Sequence, residues 1–169
     1  QIISTMEMVA KIKAAVDARV DQDLVIMART DAVATDGLDE AIERGNRYAE
    51  AGADLIFVEA PTSREDMVRS NREINAPTQA IQIEGGKTPL LTVKELEELG
   101  FNVVVYPTVT VYATAWALRG LWEGLKRNGS TKHWLDKIIP FAEFNRLIGL
   151  DKVRELESFY YKDLFACLQ

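Results

Sequence analysis

The sequence predicts an α/β protein with four strand–helix units, about half of a (β/α)8 TIM-type barrel, followed by C-terminal helices. Three observations support this fold class. Four short apolar runs recur along the first 106 residues, helical patterns separate them, and each run ends in polar or charged residues. Apolar strands that alternate with helices are typical of parallel sheets that are covered on both faces.

The predicted strands are short apolar runs. A weak one extends from Thr78 to Ile83, where Gln79 and Gln82 interrupt the apolar residues. The spacing of the strand starts leaves room for one helix between neighbours, so right-handed crossovers would make the sheet parallel. The other three runs are continuous and rich in β-branched residues: Leu24–Met27, Leu55–Val58 and Val103–Tyr106.

The segments between the strands carry helix signals. Apolar spacing predicts an amphipathic helix over residues 38–49 and a longer helix over about Val109 to Arg127. Gly52 and Gly100 stand where helices would end in the left-handed conformation. Three further helix starts show a hydroxyl residue followed three positions later by an acidic one, and they begin at Ser4, Ser63 and Thr92.

We divide the chain into two domains at residues 129 and 130. Residues 1–129 contain the four strand–helix units, and residues 130–169 form a C-terminal helical extension with predicted helices over 140–148 and 151–164. Aromatic residues are concentrated in this extension, so we expect it to dock onto the barrel or onto another subunit. A self-contained helical cap is the alternative.

An open doubly wound sheet is the alternative to the barrel, because it is built from the same units. Neither of the glycine-rich motifs that bind nucleotides in such sheets is present. The segment Gly85–Thr88 resembles the end of a phosphate-binding loop, but it lacks the upstream glycine and Pro89 follows at once. The nucleotide-binding version is therefore disfavoured.

Composition excludes several classes of protein. The chain has 169 residues, 47% of them hydrophobic and 27% charged, with a net charge of −6 and no basic run, which argues against a nucleic-acid partner. No apolar run is long enough to span a membrane, and the first residues do not form a signal peptide. Cys167 is the single cysteine, which we interpret as an inert thiol in a reducing, cytoplasmic environment.

Polar residues stand at the same end of every predicted strand, which is where barrel enzymes bind their ligands. Arg29 follows the first apolar run, and an arginine buried there costs free energy unless it is paired. Its planar guanidinium suits two-point binding of a carboxylate or phosphonate. Arg29 is therefore the first candidate for substrate binding and catalysis, and a structural ion pair with Asp31 or Glu59 is the alternative.

Two carboxylates follow the second and third strands. Glu59 could orient Arg29, transfer a proton or support a metal-bound water, although a plain structural partnership with Arg29 explains it nearly as well. Glu84 could serve the same purposes at the end of the third strand. We predict Glu59 to be catalytic and Glu84 to bind substrate.

Other strand-end residues are candidates for binding the substrate. Gly85 and Gly86 would let the backbone approach a ligand closely. Tyr106 and Thr108 could donate hydrogen bonds to an oxyanion, although Tyr106 could equally pack inside the barrel. His133 is the single histidine and lies beyond every strand end, so a histidine-based triad or metal site is not expected.

These strand-end motifs resemble the second half of the phosphoenolpyruvate mutase/isocitrate lyase superfamily. Within it, the sequence is most similar to the 2-methylisocitrate lyases and the carboxyphosphonoenolpyruvate mutase-like proteins. The resemblance covers nearly the whole chain and would make its units about the last four of the barrel. The motifs that carry it are Met27–Ala32, Val58–Ala60, Glu84–Pro89 and Tyr106–Pro107.

The resemblance implies a Mg2+-dependent lyase. Such enzymes cleave or form a C–C or P–C bond in small 2-hydroxy or 2-oxo acids, through an enolate of pyruvate or a related acid. Arg29 would bind the carboxylate or phosphonate of the substrate, and Glu59 would lie near the substrate and contact the metal through water. We expect the metal ligands themselves in the first half of the barrel. The family also implies a homotetramer in which C-terminal helices are exchanged between subunits.

The sequence departs from the family pattern in two respects. Ile81 stands where the family has an asparagine that binds substrate, unless Gln82 replaces it. The motifs of the first half are absent: the Asp-x-Asp metal strand, the Glu-Asp-Gln segment and the Lys-Lys-Cys-Gly gating loop. Because Met6–Ala15 resembles the helix that follows this loop, we expect the rest of the barrel to come from an N-terminal half outside this sequence.

Two other hypotheses remain open at this point. The chain could be a non-catalytic or incomplete half-barrel that acts as an assembly module, although its two unpaired sheet edges would be unusual. It could also be a different barrel lyase or aldolase, since fold alone does not set the chemistry. The lack of a lysine in the last residues of any predicted strand argues against Schiff-base catalysis.

Overall fold

A computed structural model of the chain describes residues 2–166, and Cys167 lies outside the described residues. The chain forms two compact units, Gln1–Tyr112 and Ala113–Gln169, and the division falls within one long helix. The two units are groups of residues that contact each other more than they contact the rest of the chain. Such a division does not test the domain boundary predicted at residues 129 and 130, which stays a prediction.

The first unit is built on a parallel sheet, as predicted. Each strand pairs with the next in sequence, in the order β1-β2-β3-β4. A helix separates each strand from the next, which is the arrangement that parallel pairing requires. The strands are β1 (Met27–Thr30), β2 (Leu55–Val58), β3 (Thr78–Ile81) and β4 (Val103–Val105).

β1 lies three residues later than the apolar run that predicted it. Leu24 and Val25 precede the ladder and are 59% and 61% exposed. The reason is a polar anchor at the strand entry, because the backbone N–H of Ile26 donates to Oδ2 of Asp54 at 2.8 Å. Pairing with β2 begins only at Met27, so Arg29 lies inside the strand rather than beyond it.

The predicted helices are confirmed, and their ends agree with the predictions to within three residues. Their caps form as expected: the hydroxyls of Ser4 and Ser63 accept from the backbone three residues later, and Thr92 forms a capping box with Glu95. Gly52 and Gly100 adopt φ of +105° and +93°, as predicted for helix ends. The helices are α1 (Thr5–Ala18), α2 (Leu38–Glu50), α3 (Arg64–Glu73), α4 (Val93–Glu98), α5 (Val109–Asn128), α6 (Phe141–Leu147) and α7 (Leu150–Ala166).

Two apolar clusters fix the sheet against its helices. The larger one joins α1, β1, α2 and β2 around Ile12, Tyr48 and Ile56. The smaller one joins α3, β3 and α4 through Met67, Ala80 and Leu96. Because burial of these side chains holds the strand bodies, the residues at the strand ends have a rigid support.

The second unit contains a close contact between a short 3-10 helix, Lys132–Trp134, and α5. Trp134 packs on Gly120, where an added Cβ would lie 2.9 Å from the indole ring, and His133 packs on Gly124. The glycines thus form a groove on α5 that admits two rings. No helix within residues 2–166 is both long and apolar enough to cross a membrane.

Candidate active site

The carboxyl ends of the strands meet at one edge of the sheet, because neighbouring strands run in the same direction. Arg29 is the third residue of β1, Glu59 directly follows β2, Gln82 follows β3 and Tyr106 follows β4. The topology therefore brings residues from all four predicted positions to the same edge.

Arg29 and Asp31 form an ion pair with two hydrogen bonds. Nε of Arg29 donates to Oδ2 of Asp31 at 3.0 Å, and Nη2 donates to Oδ1 at 2.8 Å. The residues are two positions apart, so their side chains leave the extended chain on the same side. This hydrogen bonding raises the pKa of Arg29 despite the opposing effect of partial burial, and nearby charges add to it.

Glu59 approaches the same guanidinium from β2. Its Oε2 lies 3.2 Å from Nη2 of Arg29, and its side chain is only 21% exposed, compared with 47% for Arg29. Oε2 is buried and accepts no hydrogen bond from any described residue, which means that the N–H groups of Nη2 do not point at it. The pair is therefore electrostatic, and Glu59 keeps an unused acceptor beside the arginine.

The guanidinium is also held on one face. Arg29 stands opposite Phe57 in the β1–β2 register, and its Cζ lies 5.2 Å from the centre of the phenyl ring, a cation–π distance. Nε and Nη2 are engaged by Asp31, but Nη1 makes no hydrogen bond within residues 2–166. Nη1 is therefore the part of Arg29 that is available to an incoming anion.

The backbone after Glu59 is strained. Ala60 has φ +55°, the single left-handed residue other than glycine in the part of the chain that the structure describes. Such conformations are uncommon for residues with a Cβ, and they cluster at functional sites. Pro61 follows at once, and residues 59–62 form no regular secondary structure between β2 and the start of α3.

Gln82 supports the loop that follows β3. Its side chain is 1% exposed, its Oε1 accepts from the N–H of Leu91 at 2.7 Å, and its Nε2 donates to the carbonyl of Ile81 at 3.2 Å. Both ends of the amide are therefore bound to backbone groups. A contact between Gln82 and substrate, as a replacement for the family asparagine, stays a prediction that this conformation does not favour.

Glu84 and Thr108 meet across the ends of β3 and β4. The hydroxyl of Thr108 donates to Oε2 of Glu84 at 3.1 Å. Gly85 has φ +76°, and the N–H of Gly86 closes a turn onto the carbonyl of Ile83 at 3.0 Å. The loop is thus tied to β4 and folded upon itself, and Tyr106 beside it is 43% exposed.

A groove runs between the end of β2 and this loop, and it unites residues that the sequence placed at separate strand ends. It connects Glu59 with Gly86, whereas Arg29 and Asp31 form the neighbouring ion-pair cluster. Its lining consists of Glu59, Ala60, Ile81, Ile83, Gly86, Lys87 and Thr88.

Two features of the site were missed by reasoning from sequence. Lys87 lines the groove, although the sequence predicted no role for it beyond its place in the Gly85–Thr88 segment and the Glu84–Pro89 family motif. Phe57 lies beneath Arg29, but it read as an ordinary core residue of the second strand. A signal for Lys87 was available, because it is a cation in a loop that directly follows a strand end.

The residues that the structure describes do not by themselves form a Mg2+ site. No group of three or more His, Cys, Asp or Glu side chains within residues 2–166 is arranged to hold a metal ion. Asp31 and Glu59 are both directed at Arg29. Of the carboxylates at the strand ends, Glu59 has the buried, unused oxygen that could accept a hydrogen bond from a water molecule.

Comparisons with known sequences identify the family. The sequence model of the family described as phosphoenolpyruvate phosphomutase matches residues 1–125. The chain is 52% identical to 2,3-dimethylmalate lyase of Eubacterium barkeri over 160 residues, which cover 95% of this chain and 55% of that protein. It is 43% identical to 2-methylisocitrate lyase of Aeropyrum pernix over 148 residues, covering 88% and 47%. The chain spans about half the length of the curated relatives it matches.

Solved structures show the same relationship. A crystal structure of 2,3-dimethylmalate lyase superposes with a TM-score of 0.85 at 32% identity, over 94% of this chain and 56% of that one. Phosphonopyruvate hydrolase in complex with oxalate and Mg2+ superposes with a TM-score of 0.82 at 27% identity, over 94% and 57%. The predicted fold class and family are confirmed: this chain belongs to the phosphoenolpyruvate mutase/isocitrate lyase superfamily.

Proposed function

We propose that this chain forms the arginine-bearing half of the active site of a Mg2+-dependent lyase. The enzyme would cleave a C–C or P–C bond in a small 2-hydroxy or 2-oxo acid, with an enolate of pyruvate or a related acid as one fragment, as in 2-methylisocitrate lyase. The observation that carries the proposal is Arg29, which is held at a strand end by Asp31 and Phe57 with Nη1 unengaged.

Arg29 would bind a carboxylate or phosphonate of the substrate. Contacts on one edge and one face already fix the guanidinium, so it loses little conformational entropy when an anion binds. Its planar donors also restrict the direction from which the anion can approach. Charge-assisted hydrogen bonds of this kind are roughly twice as strong as neutral ones. The half-exposed position of Arg29 keeps it accessible to a ligand.

Glu59 would act beside the bound acid. Its buried Oε2 can accept a proton or a hydrogen bond without first losing another partner among the described residues. Because Oε2 lies 3.2 Å from Arg29, a proton moving to or from the substrate would be transferred next to a fixed positive charge. We therefore propose Arg29 and Glu59 as the catalytic residues of this chain.

The groove loop would complete the binding surface. Gly85 and Gly86 allow a ligand to approach the backbone, and Glu84 is oriented by Thr108. Tyr106 projects a half-exposed phenol from the end of β4. We propose these residues as substrate contacts, with Gln82 acting on the substrate through the loop that it supports.

Mg2+ would stabilise negative charge that develops on the reacting acid. The described residues do not form its site, so we place its ligands mainly outside this chain, with Glu59 contacting it through water. The crystal structure of phosphonopyruvate hydrolase contains oxalate and Mg2+, and this hydrolase superposes on 94% of the present chain. This similarity supports the proposal of Mg2+ as the cofactor.

An assembly module without catalytic activity is the second candidate function. β1 and β4 each have one neighbour within residues 2–166, so the sheet has two open edges. Open edges of parallel strands are normally covered. The remaining strands of a barrel would cover them in the lyase, and a second copy of the chain would cover them in the assembly module.

We further propose a cytoplasmic homotetramer that exchanges C-terminal helices. The supporting observation is the number of large apolar side chains exposed on the second unit, among them Trp116 at 69% and Phe141 at 81%. Large exposed apolar patches mark protein–protein interfaces. Sedimentation at several protein concentrations tests the oligomeric state.

Titration calorimetry of oxalate into the full-length protein, with and without Mg2+, tests the proposed function. We expect Mg2+-dependent binding that Arg29→Ala abolishes. Arg64→Ala is the matched control, because Arg64 is similarly exposed but pairs with Glu95 on α4. If oxalate fails to bind under either condition, the lyase is rejected and the assembly module is favoured.

A further inference from the structure

We propose that Lys87 is a second anion contact, which binds the distal acid group of a diacid in the groove while Arg29 binds the proximal group. This inference rests on the proposed function and adds a selectivity residue to it. The class of ligand is a small acid with two anionic groups, either two carboxylates or a carboxylate and a phosphonate.

The charges around Arg29 lead to this inference. The guanidinium carries one positive charge and faces the carboxylates of both Asp31 and Glu59, at 2.8 and 3.2 Å. The cluster of three side chains is therefore net negative before any substrate arrives. The proposed Mg2+ would offset negative charge at the reacting centre, and a second acid group further along the groove would favour a cation of its own, because like charges repel at these distances.

Lys87 is the cation that lines the adjoining groove. It makes no ion pair or hydrogen bond to the other residues in the described part of the chain, although Glu59 lines the same groove. Its ammonium is therefore available to a ligand. The other lining residues add Thr88, the small Gly86 and a wall of apolar side chains from Ile81 and Ile83.

The loop that carries Lys87 is built to hold its position. Buried Gln82 fixes one end of the loop through the 2.7 Å hydrogen bond to the N–H of Leu91. Glu84 ties it to Thr108 at the end of β4. An exposed lysine on a mobile loop would bind an anion weakly, whereas a fixed loop lowers the entropy cost of binding.

Ala60, with its left-handed backbone conformation, lines the same groove. Ala60 directly follows Glu59, which contacts Arg29. Glu59 is therefore common to both sites, because it contacts Arg29 in the ion-pair cluster and lines the groove together with Lys87. A diacid that reached both cations would lie across Glu59, the residue proposed to act on it.

The experiment compares malate with lactate, two 2-hydroxy acids that differ by one carboxylate. Each is titrated into the full-length protein at constant Mg2+, for the natural sequence and for Lys87→Met, Lys87→Arg and Lys94→Met. Lys94 is an exposed lysine on α4 and is the matched control. Circular dichroism and thermal unfolding of each variant establish that it is folded.

We expect Lys87→Met to weaken malate binding roughly two- to fivefold, the range for an exposed ion pair, and to leave lactate binding unchanged. Lys87→Arg keeps the charge and should retain the preference for malate. Lys94→Met should alter neither acid.

Three results would overturn the proposal or its basis. An equal loss for both acids in Lys87→Met would mean that Lys87 does not read the second acid group. Binding that Arg29→Ala abolishes but Lys87→Met leaves intact would reject this inference and keep the proposed lyase. If the natural protein bound neither acid, the proposed function would be rejected and this inference with it.

Discussion

Oε1 of Gln82 lies 2.7 Å from the backbone nitrogen of Leu91, nine residues further along the chain. This hydrogen bond closes the loop that carries Glu84, Lys87 and the two glycines between them. One buried amide therefore sets the position of most of the groove loop. This contact explains why Gln82, a polar residue, interrupts the apolar run of the third predicted strand.

Replacing Gln82 with leucine should loosen the loop and destabilise the protein. The change leaves the N–H of Leu91 without its acceptor, which costs about 1–3 kcal/mol. Urea unfolding measures this loss, and limited proteolysis should show new cleavage between residues 83 and 90. Gln22→Leu, at an exposed position, is the control and should change neither measurement. Equal stability of both variants would show that the contact does not hold the loop.

Asp31→Asn should weaken acid binding by roughly tenfold, because the guanidinium of Arg29 loses one of its two charge-assisted hydrogen bonds and half-exposed pairs are partly screened. Titration of oxalate at constant Mg2+ measures the change. Asp39→Asn is the control and should have no effect on oxalate binding. It removes a carboxylate that lies 2.9 Å from Arg69, a separation similar to that between Asp31 and Arg29. Tighter binding in Asp31→Asn would mean that Asp31 competes with the substrate rather than orienting Arg29.

Arg44 should contribute far more to stability than Arg69. Arg44 is 8% exposed and joins α2 to the segment before α1, since it donates to Glu40 at 2.7 Å and to the carbonyl of Ile3 at 2.9 Å. Arg44→Met should lower the free energy of unfolding by about 1–3 kcal/mol. Arg69→Met removes exposed pairs with Asp39 and Glu73 and should have a much smaller effect in the same urea titration.

The stability contributed by Asp54 should depend on pH. The N–H of Ile26, followed by the Arg19 guanidinium, holds the pKa of Asp54 below its ordinary value. A carboxyl with a lowered folded-state pKa stabilises the fold above its unfolded pKa of about 3.9 and loses this effect as the pH falls through the folded value.

Asp54→Asn should therefore lower the urea midpoint at neutral pH, and the difference from the natural protein should shrink below about pH 4. Asp17→Asn, at an exposed position on α1, is the control. A difference that stayed constant down to pH 2.5 would contradict the ionic origin of the effect.

Gly52 and Gly37 should respond differently to alanine. Both have positive φ, +105° and +92°, but an added Cβ at Gly52 would lie 2.9 Å from Val16, whereas nothing lies within 4 Å at Gly37. We expect Gly37→Ala to cost about 1 kcal/mol from backbone strain alone and Gly52→Ala about twice that. Thermal unfolding measures both. Adding Val16→Ala to Gly52→Ala removes the clash, so a double variant with no recovery would contradict this explanation.

The sequence predicted the elements well where pattern and packing coincide. Leu55–Val58 is apolar throughout and is buried throughout, so β2 matches its prediction residue by residue. β1 was misplaced because Leu24 and Val25 have strand-like side chains, while the start of the ladder is set by Asp54, which is distant in sequence. Hydrophobic pattern cannot locate an anchor of that kind.

The candidate site was predicted only in part, for a related reason. Parallel strands bring their carboxyl ends together, so Arg29, Glu59 and Glu84 could be placed at one edge from sequence. Which of them contact each other depends on rotamers and loop conformation. The use of Gln82 by the backbone and the position of Lys87 in the groove are therefore known only from the structure.

The strand order has a consequence for how this chain reaches its folded state. Every parallel pair in the sheet joins strands that are neighbours in sequence. Each pairing therefore closes a loop of one helix, and the entropy cost of loop closure is met in small, similar steps. The sheet can grow one unit at a time from β1, in the order in which a ribosome releases the chain, and each new strand meets an edge that is already formed.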